Sequence, residues 1–161
     1  MFELGLKLWS INKNYVAPAR ELYQQGYYQY IELFANPGSY DKYLTLWQKL
    51  KIPFLIHAPH YQYGLNLSQA DHCAKNLELF KETKKFADAL QAQTIIVHPG
   101  IDGHVQETCR QLKLINDPRI VIENKPYDVL NRTLICVGHS PEEIERIKLE
   151  SGVGFCLDIG H

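Results

Sequence analysis

Residues 94–100 read Thr94-Ile95-Ile96-Val97-His98-Pro99-Gly100. Four β-branched residues in a row make a nearly unbroken apolar run. That is the pattern of a strand buried on both faces in a parallel sheet, not the alternation of a strand with one wet face. The run ends in an imidazole. Pro99 then restricts His98 to extended backbone, which keeps its side chain aimed along the strand end, and Gly100 leaves room for close approach to the backbone. Five other stretches are strand candidates, several of them nearly continuous apolar runs such as Ile120-Val121-Ile122: Leu4–Trp9, Tyr30–Phe34, Pro53–His57, Arg119–Glu123 and Gly154–Asp158. With Thr94–His98 they predict six strands.

The segments between them have helical period. Ser68-Gln69-Ala70-Asp71 has the form of a capping box opening the longest helix, whose apolar face is expected at Ala70, Cys73, Ala74, Leu77, Phe80, Ala87 and Leu90. Ser140-Pro141-Glu142-Glu143 opens another, with Pro at the first helical position and acid in the first turn. Asp102 is expected to cap a helix carrying Val105, Cys109 and Leu112, and Gly26 to end the first helix. The charge cluster Lys81-Glu82-Thr83-Lys84-Lys85 reads as a solvated helix face. No linker, repeat or low-complexity segment interrupts the pattern, so a single domain is expected over residues 1–161.

Strand–helix units repeated at this spacing build a parallel sheet, either an open doubly wound sheet or a closed barrel. The open form often carries a glycine-rich phosphate turn after its first strand. Here that position holds Ser10-Ile11-Asn12-Lys13-Asn14, with no glycine. The strand ends favour the barrel. Phe54–His57 ends in His57, Ile95–Val97 runs into His98, Val121–Glu123 ends in Glu123, and Phe155–Asp158 ends in Asp158 with His161 three residues on. In a (β/α)8 barrel all these ends converge on one face, where the site lies. Mixed imidazole and carboxylate donors suit Zn²⁺, with Mn²⁺ or Fe²⁺ as competitors. A complete barrel takes about 250 residues. A chain of 161 residues is therefore expected to supply about six β/α units and to be C-terminally incomplete, with open sheet edges that invite self-association.

Composition bounds the function. The 45% hydrophobic and 22% charged content is that of a soluble globular protein. A formal net charge of -1 gives no global field to recruit nucleic acid, so a DNA-directed activity needs a local basic patch. Cys73, Cys109, Cys136 and Cys156 lack CxxC spacing and fall in apolar stretches, which points to reduced thiols. There is no basic leader followed by an apolar stretch, and no run approaches the roughly 20 apolar residues of a membrane span. A cytoplasmic protein without membrane contact is expected.

The motifs in series, Ile56-His57-Ala58 with Leu65-Asn66-Leu67, then Val97-His98-Pro99-Gly100, Val121-Ile122-Glu123-Asn124 and Cys156-Leu157-Asp158-Ile159-Gly160-His161, resemble those of the endonuclease IV family, in order and at similar spacing. The segment from Gly26 to Ile31-Glu32-Leu33-Phe34 resembles the second strand of the wider xylose isomerase-like superfamily. The resemblance implies a barrel holding Zn²⁺, more than one ion, that cleaves DNA at abasic sites. It implies metal ligation by His57, His98, Glu123, Asp158 and His161, with Glu123 as the bridging, catalytic carboxylate. His60 and Asn124 fall beside these positions and are expected on the substrate side. Two loops depart from the family pattern: His57-Ala58-Pro59-His60-Tyr61, and Lys125-Pro126-Tyr127 after Glu123-Asn124. The sister sugar isomerases and epimerases share the carboxylate of the fifth strand and the Asp-x-x-His of the sixth, and a small sugar is the alternative substrate. A truncated or degenerate barrel without activity is the third reading.

Overall fold

The apolar runs do form strands, and the intervening segments form helices. In chain order the elements are β1 (Gly5–Trp9), α1 (Val16–Gln24), β2 (Tyr30–Phe34), α2 (Tyr40–Gln48), β3 (Phe54–His57), α3 (Cys73–Ala89), β4 (Ile95–Val97), α4 (Val105–Ile115), β5 (Ile120–Glu123), β6 (Asp128–Val129), β7 (Leu134–Ile135), α5 (Pro141–Ser151) and β8 (Gly154–Cys156). A computed structural model describes residues 2–129 and 133–160. They fall into two compact units, one of residues up to 58 with 81–95, the other of 59–80 with 96 onward. Strand β4 and helix α3 each run from one unit into the other, and hydrogen-bonded strand order is β1-β2-β3-β4-β5-β8.

In the first unit β1 pairs in parallel with β2 from Gly5↔Tyr30 to Trp9↔Phe34, and β2 with β3 from Ile31↔Phe54 to Phe34↔His57. The amide of Ile56 then donates to the carbonyl of Thr94 at 3.0 Å, at the approach to β4. Ile31, Leu33 and Ile56 are fully buried, while Glu32 on the other face of β2 stays part-exposed and pairs with Lys7 at 2.8 Å. Trp47 of α2 is also fully buried, and its indole N–H donates to the Ser10 carbonyl at 2.8 Å. Burying an aromatic of this size is favourable only when the polar N–H is satisfied as well.

The N-terminus of α2 is held by a carboxylate from a distant helix. Glu82 accepts from the amides of Gly38 (2.7 Å), Ser39 (2.9 Å) and Tyr40 (2.9 Å). Those are amides that the first turn of a helix leaves without a partner, and a negative charge there also meets the positive end of the helix dipole. Glu82 is thus not one of the solvated charges expected for 81–85.

In the second unit β5 pairs in parallel with β8, Val121↔Gly154 through Glu123↔Cys156. Helix α5 begins as expected: Pro141 stands in its first turn and the Ser140 hydroxyl accepts from the Glu143 amide at 3.3 Å. It packs on α4, β5 and β8. The antiparallel pair β6–β7 was not anticipated. Its second strand lies against the loop after β4, with Asp102 N donating to Ile135 O at 2.8 Å and Val137 N to Gly100 O at 3.0 Å. The four cysteines are free thiols, Cys109 and Cys136 buried.

Two capping expectations fail. Ser68 does not cap α3. Its hydroxyl lies between Asn66 Oδ1 (2.8 Å) and the Ile101 carbonyl (2.9 Å), and its own carbonyl accepts from His104 N at 2.9 Å. The loop after β4 has claimed the groups a cap would use. Asp102 does not cap α4 either, since its carboxylate accepts from Ile135 N at 2.7 Å; His104 stands at the cap position. The face of α3 is rotated as well. Ala70 and Ala74 are exposed, while Asn76, Phe80, Thr83, Phe86 and Ala87 are buried. Asn76 turns inward because its amide exchanges hydrogen bonds with the Asn66 backbone (3.0 and 2.7 Å) and donates to Gln111 Oε1 at 2.7 Å. A satisfied buried amide outranks a small apolar side chain in setting the helix register.

Replacing Glu82 with Ala is expected to lower stability by about 1–3 kcal/mol, because three amides lose a charged acceptor. Urea denaturation should show an earlier midpoint at unchanged slope. An unchanged midpoint would mean that α2 is held by packing alone.

Candidate metal centre

Strand β5 ends at Glu123, and β4 ends one residue before His98. In the second unit these side chains meet: His98 Nε2 stands 3.1 Å from Glu123 Oε1. The Glu123 side chain is 7% exposed, a depth at which a carboxylate needs nearby positive charge or donors. A third residue supplies the charge. Lys125 Nζ lies 3.2 Å from Glu123 Oε1 and 3.4 Å from His98 Nε2, with its own side chain 11% exposed. Lys125 was not among the expected site residues. The signal was present, because Glu123 and Lys125 are two apart and extended chain places such side chains on one side.

The loop bearing Lys125 is braced. Its amide donates to the Gly138 carbonyl at 2.9 Å, Cys136 N donates to Tyr127 O at 2.9 Å, and the Tyr127 ring meets His139 edge-on at 5.0 Å. Gly138 has φ +79°, and a Cβ there would run into Pro99, so only glycine lets this loop approach the turn after β4 so closely. On the other side His60 stacks on His98, with ring centroids 5.5 Å apart and planes 15° from parallel. His60, Tyr61, Gln62, His98, Lys125 and Cys136 help to line a small cavity of about 110 Å³. Burial pushes the Cys136 thiol above its ordinary pKa, so this wall presents a neutral thiol, not a thiolate nucleophile.

Asn124 and Asp158 are joined through the backbone. Asn124 Nδ2 donates to the Asp158 carbonyl at 2.9 Å, and the Asp158 amide donates to Asn124 Oδ1 at 2.7 Å. Both polar ends of the Asn124 amide thereby hold the chain just beyond β8. The Asp158 carboxylate accepts from Gly160 N at 2.7 Å. His161 lies outside the described residues.

His57 ends β3 in the first unit, 2% exposed. Its Nδ1 lies 2.7 Å from the Ala58 carbonyl. A carbonyl can only accept, so Nδ1 carries a proton, and this bond to the backbone orients the ring as in histidines that ligate metal through Nε2. The Phe34 ring lies 5.3 Å from the imidazole, centroid to centroid.

These donors fit a divalent ion. Tetrahedral bonds of about 2.0–2.2 Å to Zn²⁺ bring two ligand atoms to roughly 3.3–3.6 Å from each other, and His98 Nε2 and Glu123 Oε1, 3.1 Å apart, need to separate by only a few tenths of an ångström. A larger hollow of about 930 Å³ in the first unit, bordered by Tyr30, Pro53, Phe54 and Gln93, lies at the opposite ends of β2 and β3 and contains no imidazole.

No protein-family model and no curated protein matches the sequence. Solved structures do match. Endonuclease IV from Thermus thermophilus aligns over 98% of this chain and 62% of its own, at 20% identity and a TM-score of 0.68. A D-tagatose 3-epimerase-like protein aligns over 99% and 66%, at 18% identity and a TM-score of 0.70. The TTHB071 protein, also from Thermus thermophilus and soaked with ZnCl₂, aligns over 99% and 68%, at 17% identity and a TM-score of 0.68. The chain has the α/β fold of these proteins, a parallel sheet whose strands alternate with helices. It spans about two thirds of their length.

Replacing Asn124 with Ala removes both bonds to the Asp158 backbone. Hydrogen exchange at the Asp158 amide is expected to accelerate at least tenfold, corresponding to a loss of about 1–2 kcal/mol in local stability. Exchange at the parent rate would show that β8 holds this segment unaided.

Proposed function

We propose that the chain is the metal-binding part of a divalent-metal-dependent phosphodiesterase of the endonuclease IV type, acting at abasic sites in DNA. The observation that carries this reading is the approach of His98 Nε2 to Glu123 Oε1 at 3.1 Å. A histidine beside the fifth-strand carboxylate is the feature that the sister isomerases do not require. In this reading His57, His98, Glu123, Asp158 and His161 are ligands for Zn²⁺, with Mn²⁺ as the alternative. Bound ions would polarise a phosphodiester oxygen and lower the pKa of a water. Glu123 fixes the position of that charge. His60 holds the His98 ring by stacking and borders the space where substrate enters. Asn124 holds the segment that carries Asp158.

A second reading, a metal-dependent sugar isomerase or epimerase, is favoured by Lys125 and by the likeness to a D-tagatose 3-epimerase-like protein. There Glu123 would take a proton from a carbon beside a carbonyl, and a cation at Lys125 would stabilise the negative charge that develops. The edge of β8 away from β5, near the exposed Phe155, is the proposed place of self-association.

Elemental analysis after Zn²⁺ loading and dialysis should find at least one ion per chain, and His98→Ala and Glu123→Ala should each lose metal. Both changes should also abolish cleavage of an abasic duplex by the parent protein. Metal retained in His98→Ala, with turnover of a ketose by the parent, would establish the isomerase reading in its place.

A further inference from the structure

Lys125, His98 and Glu123 form a triangle whose sides are 3.1, 3.2 and 3.4 Å. Hydrogen bonding cannot satisfy all three sides at once. If His98 Nε2 carries a proton it donates to Glu123, and the Lys125 ammonium then faces an N–H. If Nε2 carries its lone pair it accepts from Lys125, and that lone pair then faces a carboxylate oxygen. A group that accepts lone pairs from both Nε2 and Oε1 removes the conflict, and a divalent cation is such a group. The Lys125 ammonium already stands within reach of both of those atoms, so it and such a cation would compete for them.

We propose that Lys125 is a tethered cation that competes with the metal for Glu123 and His98. Without metal it neutralises the buried carboxylate and keeps the two donors together. When metal binds, the ammonium gives up Glu123. This inference rests on the metal-binding reading above, and it assigns Lys125 a positioning role, not one as a ligand. Three features support it. The ammonium is bound to the same carboxylate oxygen that approaches His98. The backbone of Lys125 is anchored through Gly138, so the side chain moves while the loop stays. The small cavity of about 110 Å³ beside it, bordered by His60, Gln62 and Gly100, gives the displaced side chain room to move.

The consequence is an affinity below what the donor set alone would give, and a residue whose removal strengthens binding. Zn²⁺ affinity is measured by competition with a fluorescent chelator for the parent, Lys125→Gln and Lys125→Arg. Lys113→Gln, on the exposed face of α4, controls for net charge. Lys125→Gln is expected to bind Zn²⁺ at least tenfold more tightly than the parent, with Lys125→Arg and Lys113→Gln within threefold of it. The second measurement uses the parent alone and so does not depend on any variant folding. Acylation of Lys125 by an amine-reactive ester, read by peptide mass spectrometry, should rise at least threefold when Zn²⁺ is saturating. Equal Zn²⁺ affinity in the parent and Lys125→Gln, or Lys125 acylation that does not rise with Zn²⁺, would overturn the competition and leave the metal site standing. Absence of Zn²⁺ binding in both proteins would overturn the competition and the metal reading together.

Discussion

A carboxylate buried as deeply as Glu123 must be met by positive charge or by donors, because charge taken out of water costs several kcal/mol when it is left alone. Much of the second unit serves that requirement. Strand β5 delivers the carboxylate, β4 delivers an imidazole to within 3.1 Å of it, and the loop after β5 folds back on Gly138 so that Lys125 reaches the same oxygen. Pro99, Gly100 and Gly138 are conformational solutions to crowding around that point. A Cβ on Gly100 would meet Asn66 and Ser68, and one on Gly138 would meet Pro99. The polar cluster of Asn66, Ser68, Asn76 and Gln111 holds the loop after β4 from behind. Such a network, fully satisfied, fixes a backbone more sharply than apolar packing does.

The strands were legible because each gathers apolar residues in a short run, unbroken in the fully buried β4 and interrupted by Lys7 in β1 and Glu32 in β2. All six lie where the runs lie, and their ends differ from the expected ones by no more than two residues. The start of α5 was legible for an equally local reason, Ser140 before Pro141 with acid behind it. What could not be read depended on contacts distant in sequence. Ser68 has the local form of a cap, yet a loop more than 30 residues away uses its hydroxyl. Ala70 and Ala74 have helical period, yet Asn76 sets the buried face through partners at 66 and 111. Glu82 reads as one charge among five and proves to be the carboxylate that closes α2, 42–44 residues back. The two-residue strands of the pair β6–β7 are too short for any period to show.

The residues of the candidate site were legible in part for the same reason as the strands. A polar side chain that ends an apolar run is conspicuous, so His57, His98 and Glu123 could each be named. Lys125 was hidden because a lysine after a strand is ordinarily a solvated one. Only the depth of Glu123 and the anchoring of the loop turn it inward. Asn124 stands in a motif position and, in the fold, spends both ends of its amide on the Asp158 backbone. The two loops that depart from the endonuclease IV pattern, at 58–61 and 125–127, are also the ones that place His60 and Lys125 beside His98. Fold likeness extends over 98–99% of the chain at 17–20% identity, while these side chains give the site its own character.

The claim on which the functional reading rests is that His98 and Glu123 are ligands of one divalent ion. A crystal of the Zn²⁺-loaded protein, measured on both sides of the zinc absorption edge, addresses it directly. A metal-ligand role predicts an anomalous difference peak within about 2.0–2.2 Å of both His98 Nε2 and Glu123 Oε1, with Lys125 Nζ withdrawn from the carboxylate. No peak at that position, with Lys125 still bound to Glu123 at saturating Zn²⁺, would contradict it.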